Sequence, residues 1–304
     1  MRRMNYFSVS TLLLALILLM PGCATKTGPG EDERAYLKQH EEWATERLKG
    51  LKDEHGWLSL AGLFWLKEGE NSFGSDPSND IVFPEKAEAF CGSLFLKNGE
   101  VQLRVKEGIA IRLNDSLIHE HKLNNDHEKN TSYLQQGDYN WYIVKRGKNY
   151  GIRLRDEKHP RINALDHIPA FPVQTDYVLE AKLKAFPEPR FVEVATPLEG
   201  FTETYICPGE LHFELNGKDF CLLPFESGKN YFLVFADETS GKESYGAGRF
   251  MYARRDSTNK IILDFNKAYN PPCAFSPFAT CPMPPRENIL SVAIEAGEKE
   301  VHLK

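Results

Sequence analysis

Two short stretches near the C-terminal end concentrate the side chains that can do chemistry. The first runs Phe235-Ala236-Asp237-Glu238-Thr239-Ser240-Gly241 and continues through Tyr245-Gly246-Ala247-Gly248-Arg249-Phe250. An apolar strand ending in Asp-x-Thr-Ser-Gly delivers a carboxylate and two hydroxyls onto a turn, where they can converge on a ligand. The second places Asp264, Asn266 and Tyr269 ahead of a proline-rich run, residues 270–285. That run can be neither regular helix nor central strand, because proline lacks the backbone donor that both require. Asp237, Arg249 and Asp264 suit a carboxylate–guanidinium site for a small polar ligand, with Thr239, Ser240, Tyr245, Asn266 and Tyr269 as hydrogen-bonding groups. The same charges also suit a structural role, the acids capping turns and Arg249 bracing the proline-rich segment as a buried ion pair.

An enzymatic reading, a hydrolase, uses Ser240 as nucleophile or the acids Asp237 and Asp264. Ser240 lacks a Gly-x-Ser-x-Gly elbow and no histidine is near it in sequence, so a base must arrive through the fold from His55, His159, His167 or His212. The nine histidines are scattered, with no His-x-x-x-His or Cys-x-x-Cys spacing. No metal and no cofactor is expected on that ground.

The elements that must position these groups are mostly strands. The 304 residues are 41% hydrophobic and 26% charged, enough for one or two cores and unlike a disordered or polytopic chain. Aromatics at 12%, with Gly 22 and Pro 18, favour strands and turns. A net charge of −6 argues against a nucleic-acid partner. Residues 31–54 read as one amphipathic helix, with Tyr36, Leu37, His40, Trp43, Leu48 and Leu51 on the docking face. Asn98-Gly99 makes a two-residue turn that sets Leu96 against Val101 and Leu94 against Leu103. Asn216-Gly217 does the same for Phe213 with Phe220 and Leu211 with Leu222. A looser hairpin joins residues 141–144 to 150–154, and further strands are expected at 231–235, 249–253, 261–265 and 289–294. Residues 185–189, with Pro187 and Pro189, suit a linker or a sheet edge. The expected fold is mainly β, with antiparallel sandwich-like or barrel-like units and one N-terminal amphipathic helix. The helix and first unit take residues 33–180 and the second unit 181–304, either as two units or as one continuous domain.

The start of the chain resembles a bacterial lipoprotein signal. Arg2 and Arg3 precede an apolar run over residues 12–20 and then Pro21-Gly22-Cys23. The run is too short to span a bilayer and has the length of a signal-peptide core. The resemblance implies a signal peptide over residues 1–22, acyl chains such as palmitate on Cys23, and a tether over residues 23–32. The protein is then held on the cell envelope by its lipid, with an outer membrane implied by Ala24 after the lipidated cysteine.

Several stretches resemble a bacterial family catalogued as domain of unknown function 1684. They are residues 56–66, Gly74-Ser75-Asp76, Tyr150-Gly151-Ile152-Arg153-Leu154-Arg155-Asp156, Asp237 with Thr239-Ser240-Gly241, and residues 264–285. The resemblance runs over nearly all of the chain after the leader and implies no activity. Residues 73–83 also look like the opening of a forkhead-associated β-sandwich. Phosphothreonine readers of that family carry Arg after the Gly and then Ser-x-x-His. Here Ser75 takes the Arg position and no such His follows, so phosphothreonine binding is not carried over. These readings favour a lipid-anchored envelope protein that binds a small polar ligand or acts as an accessory factor, over an envelope hydrolase.

With Cys23 lipidated, five cysteines remain in an oxidising compartment. Cys273 and Cys281 are the disulfide candidate, closing the proline-rich loop. Cys91, Cys207 and Cys221 are expected to be buried as small apolar side chains.

Overall fold

The computed structural model describes residues 30–256 and 260–303. The expected signal peptide and Cys23 lie outside the described residues, and no described helix is long and apolar enough to cross a membrane.

The fold is mainly β, as expected. Its first part holds β1 (Leu60–Trp65), β2 (Gly69–Gly74), β3 (Ile81–Val82), β4 (Gly92–Lys97), β5 (Glu100–Val105) and β6 (Ile111–Leu113). It continues with β7 (Ser116–Ile118), β8 (Glu120–Leu123), β9 (Leu134–Gln136), β10 (Tyr139–Arg146) and β11 (Asn149–Asp156). These strands form a six-stranded sheet, β1-β11-β10-β9-β6-β7, and a five-stranded one, β3-β2-β4-β5-β8. All pairings are antiparallel except the short β2–β3 contact. The two sheets share one core in which Phe73, Phe83 and Trp141 meet edge-on or tilted, with Phe73 5.5 Å from Trp141. The Asn98-Gly99 turn has φ of 50° and 80°, the left-handed pair a tight hairpin needs, and its register is the expected one.

The second part holds β12 (Val178–Ala195), β13 (Thr202–Leu215), β14 (Lys218–Leu222), β15 (Phe225–Ser227), β16 (Asn230–Phe235), β17 (Arg249–Arg255) and β18 (Ile261–Asp264). Their order is β14-β13-β12-β18-β17-β16-β15, and one face of the sheet converges on a core with Leu233, Met251 and Leu263 at its centre. Residues 185–189 are neither linker nor edge. They form an irregularity inside β12, where the β13 register shifts between Ala185 and Arg190. Pro187 and Pro189 are tolerated because β18 pairs only with residues 178–181, so no second neighbour needs their missing donors.

Two expectations are corrected. Residues 289–294 are not a strand: a single bridge joins Ile289 to Ala236, and the segment is otherwise irregular. Its anchor is Asn288, whose amide donates to the carbonyls of Leu223 and Val234 and accepts from the Leu223 N–H. Cys221 is exposed rather than buried. The hairpin register turns Leu222 inward, so Cys221 and its partner His212 face out.

The expected helix is α1 (Glu31–Lys52), with Glu31, Asp32 and Glu33 in its first turn and Lys49 and Lys52 in its last, charges that complement the helix dipole. Its docking face meets the second part of the chain. Tyr36 Oη donates to Asp264 at 2.7 Å, His40 Nε2 pairs with the Asn266 carbonyl at 3.0 Å, and Arg47 donates to Glu298 at 3.0 Å and to the Asn270 carbonyl at 2.8 Å.

Candidate functional site

Asp237 and Arg249 make an ion pair of 2.7 Å with both side chains fully enclosed. Asp237 Oδ1 also accepts from the Thr239 N–H and hydroxyl and from the Ile294 N–H. Arg249 donates to the carbonyls of Ile294 and Ala296. The guanidinium points inward because Arg249 lies opposite Phe235 across β16 and β17, on the core side. Burial lowers its pKa, and the neighbouring Asp237 opposes that shift. The pair therefore straps the irregular C-terminal segment to the sheet and has no open face for a ligand.

The other expected residues do not join it. Asp264 accepts from Tyr36 and pairs with Lys267 at 3.2 Å, and no hydrogen bond or ion pair links it to Asp237 or Arg249. Ser240 Oγ accepts the Asp237 N–H at 3.2 Å, an ordinary turn contact, and none of His55, His159, His167 and His212 is hydrogen-bonded to it. The expected convergence of Asp237, Ser240, Arg249 and Asp264 on one cleft is thus absent among the described residues. Asn266 lies under α1, donating to Tyr36 Oη and the Gln174 carbonyl beside a cavity of 230 Å³. Glu298 lines that cavity too. Burial raises its carboxyl pKa, and Arg47 works in the opposite direction.

Tyr269 leads to a different place. Two adjoining hollows of 420 and 170 Å³ share Trp57, Phe250 and Pro272 as walls. The larger is aromatic, lined by Trp43, Phe232, Tyr252 and Tyr269. The smaller carries Arg146, Arg153, Glu203, Thr280 and Cys281 in its lining. Together they form a cleft where the sandwich meets the second sheet.

Arg153 is the exceptional group in it. Along β11, Ile152 and Leu154 turn into the sandwich core, so Arg153 and Arg155 emerge on the opposite face. Both guanidiniums lie over the Trp57 ring, at 5.8 and 5.5 Å. Arg155 is satisfied by the Gly56 carbonyl and the Ser59 hydroxyl. Arg153 is 4% exposed, yet no acceptor meets it among the described residues, and its Nε is buried without a partner. The neighbouring Arg146 is neutralised by Asp126 at 2.7 Å, and Glu203 is engaged by the Tyr205 hydroxyl.

The proline-rich run supplies the far wall. Cys273 and Cys281 come together as expected, but as two thiols and not as a bond. The Cys273 N–H donates to Cys281 Sγ at 3.1 Å and the Cys281 N–H to Cys273 Sγ at 3.3 Å. Tyr245 stands near them: burial raises its pKa first, and the two thiols add to that. Of the site residues singled out from sequence, Tyr269 and Cys281 line this cleft. Arg153 and Trp57 were not singled out as site residues, although both lie in the stretches that carry the family resemblance. The available signal was a strand with two arginines on one face and aliphatic residues on the other, Ile152-Arg153-Leu154-Arg155.

No curated protein matches the chain. A solution structure of an uncharacterised protein from Haloarcula marismortui is 34% identical, covering 45% of this chain and 78% of that one, with a TM-score of 0.38. Two forkhead-associated domain structures, one of FhaA with the intracellular domain of Rv3910, are 13% identical over 31% of this chain, with TM-scores of 0.22. The family model for protein of unknown function DUF1684 matches residues 163–299. The match is narrower than the resemblance in sequence implied: it holds Asp237, Arg249, Tyr269, Cys273 and Cys281 and leaves out the sandwich with Arg153. By that match and the 34% identity to a relative covered over 78% of its length, the chain belongs to the DUF1684 family.

Proposed function

We propose that this is a lipid-anchored cell-envelope protein that binds a small ligand with an anionic group and a flat apolar part in the cleft between its two β units. The observation that carries this reading is Arg153, a guanidinium 4% exposed, without a hydrogen-bonding partner among the described residues, in the lining of the smaller hollow. A buried charge left unpaired is costly, and native proteins keep one chiefly where something else pairs with it. A carboxylate or phosphate fits, since the fork of an arginine binds either in two-point fashion. The apolar part of the ligand lies along Trp57, Phe250, Tyr252 and Tyr269 in the adjoining hollow. The anchor rests on the leader and Cys23.

The test is calorimetric titration of the full chain in detergent with phenyl phosphate, inorganic phosphate and phenol. Phenyl phosphate is expected to bind tightest, and Arg153→Met to weaken it by tenfold or more, equivalent to about 1.4 kcal/mol. Equal affinity in wild type and Arg153→Met would sink the reading, as would binding of phenol as tight as that of phenyl phosphate. For the anchor, Cys23→Ser is expected to shift the protein from the membrane to the soluble fraction of the producing cells. Unchanged membrane association of that variant would rule the lipid out.

A further inference from the structure

We propose that Cys273 and Cys281 are a redox-active dithiol, with Cys273 the attacking and Cys281 the resolving thiol, and that its oxidation strengthens anion binding at Arg153. The second clause rests on the binding reading above; the first stands without it.

The geometry of the pair is reciprocal. Each backbone N–H donates to the other residue's sulfur, at 3.1 and 3.3 Å, so the two sulfurs are held side by side by main chain that the prolines at 271, 272 and 282 stiffen. The exposure is not reciprocal. Cys273 is partly open to solvent, whereas Cys281 is 7% exposed and forms a wall of the smaller hollow. The Cys281 thiol hydrogen-bonds Cys273, which lowers the Cys273 pKa and raises that of Cys281, and Arg153 lowers both. The more accessible sulfur is thus also the better thiolate. The other described cysteines lack such a partner. Cys91 and Cys207 are buried with raised pKa values, and exposed Cys221 is raised by burial and by Glu210.

The oxidant is a small-molecule disulfide, RSSR. The Cys273 thiolate attacks one sulfur, the RS–SR bond breaks, and the departing thiolate takes up the proton that Cys273 released. Cys281 then loses its proton and attacks Cys273 Sγ, expelling the second RS⁻, which takes up that proton. One protein disulfide forms, and the two electrons leave on two RSH molecules. Arg153 and Cys281 line the same hollow, so negative charge on the dithiol when Cys273 is deprotonated offsets part of the Arg153 charge. The disulfide has no charge, so oxidation leaves Arg153 free to meet an anion. By reciprocity, a bound anion favours the disulfide over the reduced pair by the same factor.

The experiment uses the full Cys221→Ser chain in detergent, reduced and then exposed to oxidised glutathione, with peptide mapping and titration by phenyl phosphate. The expected product is a Cys273–Cys281 bond with no glutathione retained. Cys281→Ser is expected to trap glutathione on Cys273, while Cys273→Ser reacts far more slowly at Cys281. A bond to another cysteine, or equal trapping in the two variants, would overturn the dithiol assignment. The oxidised protein is expected to bind phenyl phosphate about fivefold more tightly than the reduced one, and equal affinities overturn the coupling. If the Cys273–Cys281 bond forms but neither redox form binds phenyl phosphate, the anion reading fails and the dithiol stands.

Discussion

Replacing Asp237 by alanine is expected to destabilise the protein by about 3–5 kcal/mol, read as a lower urea midpoint with unchanged slope. The size follows from what is left behind. Arg249 is fully enclosed, and Asp237 is its only carboxylate partner in ion-pair geometry among the described residues, at 2.7 Å. Removing the acid leaves a guanidinium in the core with only the carbonyls of Ile294, Ala296 and Glu298 as acceptors among the described residues. It also orphans the Thr239 N–H and the Ile294 N–H, each of which Asp237 accepts. The double variant Asp237→Ala/Arg249→Met is expected to recover part of the loss, because an apolar side chain replaces the stranded charge. A loss below about 1 kcal/mol for Asp237→Ala would contradict the view that this pair straps the C-terminal segment. Because the pair lies away from the cleft lining, the single variant is expected to keep its phenyl phosphate affinity where it remains folded.

How far the sequence disclosed this arrangement depends on the range of the interaction involved. The Asn98-Gly99 and Asn216-Gly217 hairpins were legible to the residue, because a two-residue left-handed turn fixes the register by itself. The outward position of Cys221 was contained in the same register: with Leu222 inward, its neighbour must face out. Residues 289–294 misled for the opposite reason. Their apolar, branched composition suits a strand, but whether a strand forms depends on a partner edge, and here Asn288 ties the start of the segment to Leu223 and Val234 while Asp237 accepts the Ile294 N–H. The polar cluster was found in sequence, yet its role was not, since enclosure is a property of the packed sheet. Arg153 is the converse case. Its alternation with Ile152 and Leu154 marks an outward face on β11, and only the second β unit, distant in sequence, turns that face into the floor of a cleft.

Trp57→Ala is expected to lose about 2–4 kcal/mol of stability and most of the phenyl phosphate affinity together. The ring is half-buried at the start of the short turn before β1, and it packs both with Leu60, Phe250 and Cys281 and with Leu51, Leu58 and Leu165. It therefore joins the helix, the sandwich and the second sheet at one point. The same ring faces Arg153 and Arg155, so its removal takes away the cation–π contact of a guanidinium that has no hydrogen-bonding partner. Without that wall Arg153 is free to reorient toward water, and the two hollows merge. Trp57→Phe keeps an aromatic face and most of the burial, and it is expected to cost about 1 kcal/mol and to hold affinity within a few-fold of wild type. If Trp57 and Arg153 act on the ligand as a unit, Trp57→Ala/Arg153→Met binds no more weakly than Arg153→Met alone. Full retention of affinity in Trp57→Ala would place the ligand elsewhere, and additive losses in the double variant would show two independent contacts.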